Sequence, residues 1–177
     1  MKYLFFSILF IGLLFGCKTE TKSKKKPLSP HQTAMAMIGN AHIHIDYSSP
    51  GVRGRTIFGE LIPFGKLWRA GANNATWLET NKDLLINQMT LPKGKYGVFI
   101  IPKKESWTWI FNNNWDQHGT DDYKESEDVI RFDLPVNHLG KEQEHLEYHV
   151  EKVADNSGVI SAAWEHTKVE FSIKILE

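Results

Sequence analysis

The chain has 177 residues, 41% of them hydrophobic and 12% aromatic, and its 21 basic side chains balance 21 acidic ones. So even a charge argues against a dedicated nucleic-acid binder, which carries a basic excess. One cysteine excludes an internal disulfide, so the fold must rest on its core, and the length suits one domain of ordinary size.

The first element is a targeting segment. Lys2 precedes an apolar run from Tyr3 to Phe15, and the sequence turns polar directly after Gly16 and Cys17. A charged start, a short apolar core and a small residue at the cut describe a secretory signal over residues 1–16. The run is shorter than the ~20 apolar residues of a membrane-spanning helix. Leu14-Phe15-Gly16-Cys17 resembles a bacterial lipobox, which makes Cys17 the expected lipid attachment point and the membrane a partner through that lipid. The alternative is an ordinary signal peptide with an incidental cysteine. Cleavage before Cys17 removes 16 residues, Lys2 among them, and leaves 161 with 20 basic against 21 acidic side chains, a formal charge of −1. Lys18, where an inner-membrane retention signal would place aspartate, points to the outer membrane facing the periplasm.

Residues 17–30 read as a flexible tether, with Lys22, Lys24, Lys25 and Lys26 followed by Pro27 and Pro30 and almost nothing apolar. A single domain is expected over residues 31–177. From Ala41 onward, period-two alternation dominates. Ile43, Ile45 and Tyr47 point one way, with His42, His44 and Asp46 opposite. Further strands are expected at 75–80, 83–87, 95–101, 106–111, 130–134, 144–153, 159–165 and 169–175. The 106–111 strand is apolar on both faces, which places it centrally. Turn chemistry falls between these runs at Pro50-Gly51, Lys93-Gly94, Asn113-Asn114 and Asn156-Ser157-Gly158. The 57–67 segment lacks alternation and is broken by Gly59, Pro63 and Gly65, so it reads as a packed loop with room for one helical turn. Together these features predict an all-β antiparallel sandwich, jelly-roll or immunoglobulin-like, of about nine strands with one long irregular loop.

Two segments, Tyr47 to Gly59 and Leu61 to Asn73, the latter with the block Trp68-Arg69-Ala70-Gly71-Ala72-Asn73, resemble the signature of the bacterial family called domain of unknown function 2911. Leu91 to Tyr96, Phe99 to Pro102, Trp107 to Asn112 and Asp128 to Arg131 fit the same pattern. The resemblance covers roughly residues 29 to 177 and implies a secreted or envelope-attached, β-rich domain without an assigned reaction. Ser49 stands where the family pattern has arginine, and Asn74 where it has glutamate.

The basic loop from Gly51 to Asn73 is the best candidate for ligand binding. Its guanidinium groups, Arg53, Arg55 and Arg69, suit carboxylate or phosphate, and Trp68 and Asn73 lie beside them in sequence. The competing reading is structural, with these groups holding a long loop that lacks strand hydrogen bonds. A second candidate is Asn112 to Gly119, where Trp115 among amides and acids could stack on a carbohydrate; the competing reading is a polar loop whose Trp115 folds back onto the core, the commoner fate of tryptophan. His42, His44 and Asp46 on one strand, and His145 with His149 on another, are candidate ligands for zinc or copper. Side chains two apart on one strand stand ~6.5–7 Å apart, however, so a closed site would need a neighbouring strand. No cofactor is expected beyond such a divalent metal.

No Gly-x-Ser-x-Gly elbow, zinc-protease helix, Walker loop or dinucleotide fingerprint occurs, so catalytic residues stay unknown. The expected function is therefore non-catalytic. It is a binding or structural-interaction module of the cell envelope, whose partner is a small anion, a carbohydrate or an envelope protein. The alternative is an envelope hydrolase using loop carboxylates or a histidine-bound metal.

Overall fold

The structure, a computed structural model, describes residues 27–176. The expectations for the signal segment 1–16, for Cys17 and for the tether as far as residue 26 lie outside the described residues.

Ten strands form two antiparallel sheets packed face to face, a β-sandwich. They are β1 (His31–Ile38), β2 (Ala41–Ser48), β3 (Thr76–Thr80), β4 (Leu84–Ile86), β5 (Met89–Leu91), β6 (Gly94–Pro102), β7 (Ser106–Asn112), β8 (Asp128–Pro135), β9 (Asn137–Ala154) and β10 (Ser157–Ile175). The larger sheet runs β1-β2-β3-β6-β7-β8 and the smaller β5-β4-β10-β9. Alternation builds both. Ala41, Ile43, Ile45 and Tyr47 of β2 are buried while His42, His44, Asp46 and Ser48 face outward. Between the sheets the core is largely aromatic: Trp109 and Phe171 meet at 5.0 Å between ring centroids, Phe132 and Phe171 at 5.2 Å, and Tyr47 and Tyr148 at 4.8 Å.

Several features differ from expectation. β1 and the short β5 carry no clean apolar alternation and were not anticipated. The two runs expected at 159–165 and 169–175 are one strand, β10. Glu165, at φ +56°, sits between two register shifts against β9. The bulge inverts the side-chain parity, so Ile160, Ala162 and Trp164 point inward before it, and Thr167, Val169 and Phe171 after it. The 57–67 segment holds no helical turn. Its turns are closed instead by Gly59 N–H to Ile62 C=O at 2.9 Å and Ile62 N–H to Ile57 C=O at 2.8 Å. Finally, residues 28–30 are docked rather than free, since Pro30 C=O accepts the Ser49 N–H and Leu28 C=O accepts the Arg53 guanidinium.

β7 lies second from the edge of its sheet rather than at its centre, yet both its faces are buried. The inner face carries Trp107, Trp109 and Phe111. On the outer face, loops cover Ile110, which clusters with Phe99 and Ala75 against Leu67, Ile101 and Tyr123. Tyr123 donates to the Asp128 carboxylate at 2.9 Å. Burial and that carboxylate raise its pKa to about 12, so it remains a donor throughout the neutral range.

Candidate functional site

The chain between β2 and β3 leaves the larger sheet, crosses one end of the sandwich and returns. Without a ladder of its own, this stretch must borrow partners for its backbone. Near its start, Val52 N–H donates to Glu144 C=O at 2.7 Å and Leu146 N–H donates to Pro50 C=O at 3.0 Å, so the segment pairs briefly with β9. Farther on, Trp68 exchanges both backbone bonds with Ile100 of β6, at 2.8 and 2.9 Å. Ile57 N–H is satisfied by the Glu165 carboxylate at 2.9 Å, which gives the β10 bulge a purpose.

Two side chains of the loop fill the end of the core. Phe58 lies 4.5 Å from Trp107 and 6.0 Å from Trp164 between ring centroids, and Trp68 stacks on Trp164 at 5.8 Å with planes 24° apart. Trp68 is 4% exposed and donates its indole N–H to Gly71 C=O at 3.0 Å. Gly71 itself must be small, because a Cβ there would stand 2.6 Å from Thr76 Oγ1. Next to it, Ala70 adopts φ +54°, a left-handed conformation that costs a non-glycine residue ~1–2 kcal/mol. Two donors hold it there: the Thr76 hydroxyl at 2.9 Å and the Tyr148 hydroxyl at 2.7 Å both reach Ala70 C=O. Arg53 and Asn73 are also left-handed, at φ 52° and 62°.

Between this loop and the end of the sandwich lies a cavity of about 630 Å³. Arg53, Arg55, Trp68, Arg69 and Asn73 all line it, together with Leu61, Ile62 and Trp164, which the sequence did not single out. Residues Pro27, Leu28 and Ser29 close one side. The three arginines are not equivalent. Arg55 is spent on its own loop, with Nε donating to Val52 C=O at 3.0 Å and Nη2 to Gly51 C=O at 2.6 Å. Arg53 engages Leu28 C=O. Arg69 has an Nε shielded from solvent with no hydrogen-bond partner. Burial lowers its pKa from the ordinary guanidinium value, opposed by the charge of Asp121. Among the described residues neither Arg53 nor Arg69 forms an ion pair. Among the described residues the lining carries no aspartate, glutamate or histidine.

Trp115 lies elsewhere, in a smaller cleft of about 180 Å³ that shares only Asn73 with the first. Its ring is occupied: Lys95 Nζ sits 3.6 Å above it and 3.5 Å above Trp77, a cation between two indoles. The neighbouring amides are structural. Asn112, fully buried, donates to Lys124 C=O at 2.9 Å and to Asp128 at 2.8 Å, and accepts the Asn114 N–H at 2.9 Å.

The histidine sets are not brought together. His42, His44 and Asp46 lie on β2 of the larger sheet, and His145 and His149 lie exposed on β9 of the smaller. Asp46 is drawn instead to His31 Nε2 at 2.7 Å, and His149 to Glu147 at 3.5 Å. Among the described residues no three His, Cys, Asp or Glu side chains converge as a cage for a metal requires. The carboxylate–imidazole sites expected from the sequence are therefore not formed by these residues as paired.

The fold and site define a β-sandwich domain with an arginine-bearing cavity beneath one long loop. Residues 29–173 match the family described as a protein of unknown function, DUF2911, and the chain belongs to that family. No curated protein and no solved structure matches it. Ser49 and Asn74 have local roles. Ser49 is buried and donates to Leu146 C=O at 2.8 Å, and Asn74 Oδ1 meets His118 Nδ1 at 3.2 Å.

Proposed function

We propose that this protein is a non-catalytic binding module whose cavity under the 50–73 loop takes a small carboxylate- or phosphate-bearing anion. The observation that carries this reading is Arg69, a half-buried guanidinium with an unpartnered Nε beside a cavity that offers no carboxylate. A structural arginine is normally repaid by an acid or by carbonyls, as Arg55 is. An anion would supply that partner in a bidentate geometry. The three non-glycine residues held at positive φ around the cavity fit the same reading, since strained backbone clusters at ligand sites. Carbohydrate is the weaker ligand class, because the Trp115 face is covered by Lys95 and Trp68 is inside the core. A hydrolase is weaker too, because the lining lacks the acids and imidazoles such chemistry uses. The domain would be held by a lipid on Cys17, a reading supported by the Leu14–Cys17 order, on the outer membrane facing the periplasm, a reading supported by Lys18.

A thermal-shift screen against phosphate, phosphate esters and di- and tricarboxylates tests the binding reading. An anion at 100 times its Kd adds ~2.7 kcal/mol and should raise the midpoint by roughly 5–10 °C. Arg69→Gln should abolish that shift and change the midpoint of the ligand-free protein little, because the desolvation of the guanidinium outweighs the attraction of Asp121 and no ion pair is lost. If no anion moves the midpoint, or if ligand-free Arg69→Gln is strongly destabilised, the arginine is a loop staple and the proposal falls.

A further inference from the structure

The outer face of the β1–β2 hairpin carries a second constellation, and it shares no residue with the arginine cavity. β1 and β2 pair antiparallel around the turn at Gly39 and Asn40, which sets Met35 directly across from His44 and Met37 directly across from His42. Counting back from the Ile38–Ala41 pair that closes the two-residue turn, both Met–His pairs fall at non-hydrogen-bonded positions. The strands approach most closely there, with Cα atoms ~4.5 Å apart and side chains leaning together. The His42 N–H confirms the parity, since it points away from β1 and donates to Asn81 at 2.7 Å. Alternation puts all four side chains on the same face, because their neighbours Ala36, Ile38, Ala41, Ile43 and Ile45 turn toward the core.

Three observations set this patch apart from scattered surface residues. Met35 and Met37 are 55% and 56% exposed, two large apolar side chains presented side by side to solvent. The rings of His42 and His44 stand 6.0 Å apart, a span that a long thioether on either side can bridge. His44 Nε2 is shielded from solvent and has no hydrogen-bond partner, although an imidazole nitrogen in that state normally finds one. Trp77 closes the other side of the His44 ring edge-on at 5.0 Å.

We propose that Met35, Met37, His42 and His44 form a binding site for a soft monovalent metal ion, Cu(I) or its surrogate Ag(I). The donors are two thioethers and two neutral imidazoles, a set without formal charge. Thioether sulfur selects Cu(I) and is a poor ligand for hard cations. Asp46, the nearest carboxylate along β2, is engaged by His31, and although Glu79 of β3 stands across from His44, among the described residues no carboxylate converges with the two imidazoles as a third ligand; thioethers and imidazoles alone favour a monovalent ion over zinc. Methionine's flexible side chain closes the gap that defeats a strand carrying histidine and carboxylate alone.

The test uses the full chain, without a histidine tag and with Cys17→Ser so that no thiol competes. Titrated against the Cu(I)–bicinchoninate complex under reducing conditions, the protein should withdraw about one equivalent of Cu(I), and Met35→Leu/Met37→Leu should weaken this about tenfold or more. Ag(I) added to protein carrying ¹³C-methyl methionine should shift the Met35 and Met37 methyl signals and leave Met89 unmoved, a readout that needs no variant. Failure to compete with bicinchoninate would overturn the proposal, and so would equal affinity in a folded double variant. Equal shifts at Met89 would also overturn it, by showing unspecific sulfur binding.

Discussion

Trp68→Ala is expected to lower the stability of the domain by about 3–5 kcal/mol, the cost of removing a buried large aromatic side chain. Three losses combine. Trp68 is packed on Trp164 and Phe58 at the end of the sandwich, its removal leaves a void there, and Gly71 C=O loses its indole donor. The loop that roofs the arginine cavity depends on this residue, which makes two reciprocal backbone bonds with β6 where Gly65 and Ala72 each make a single bond, to Pro102 and Ser48. Urea unfolding followed by far-UV circular dichroism would measure the loss. The variant should also lose anion binding, by letting the loop lift rather than by removing a contact. A loss below about 1 kcal/mol would mean that the loop packs without its tryptophan, and that its shape is held by backbone bonds alone.

Asn112→Ala should cost about 2–4 kcal/mol. Asn112 is fully buried at the end of β7 and serves three partners at once, the Lys124 carbonyl, the Asp128 carboxylate and the Asn114 amide. Each hydrogen bond contributes about 1 kcal/mol, and a bond to an ionised group more, with a further cost for groups left unpaired. Asp128 would keep Tyr123 and Arg131, at 2.9 and 2.8 Å. The loss should therefore be concentrated in the 113–124 loop. Hydrogen exchange would show faster exchange at Asn114 and Trp115 with the sheet amides little changed. Uniform loss of protection would instead place Asn112 in the global folding unit.

β2 and β8 were legible because one face of each is buried and the side-chain period is two, and β6 and β7 as short apolar runs bounded by turn residues. β10 was legible only as two pieces, since a single residue, Glu165, inverts the parity midway and a periodic reading has no means of carrying the phase across a bulge. β1 was missed because its outward residues include Met35 and Met37 while its inward ones are the small Ala34 and Ala36, which reverses the usual contrast. The candidate loop was found by its arginines and glycines, and five of the six residues named for ligand binding do line one cavity. Which arginine is free was not legible, because it depends on carbonyls that only the folded loop presents. Of the two readings open for Trp115, a stacking face or a ring folded back on the domain, the sequence could not choose, because Lys95, 20 positions earlier, reaches the ring only in the folded sheet.

By itself, then, the sequence determined the β class, the long loop between β2 and β3 and the family resemblance. All three are local properties, set by side-chain period, turn chemistry and consecutive residues. The tertiary structure alone decided that Arg55 staples its loop while Arg69 faces a cavity with an unpartnered nitrogen. It also decided that the histidines of β2 stand across from methionines rather than beside the histidines of β9. These partners are close in sequence, yet they depend on the turn and register that the chain adopts, and those are fixed by the packed core: β1 has no apolar alternation of its own, and the Arg55 loop is held in shape by β6, β9 and β10.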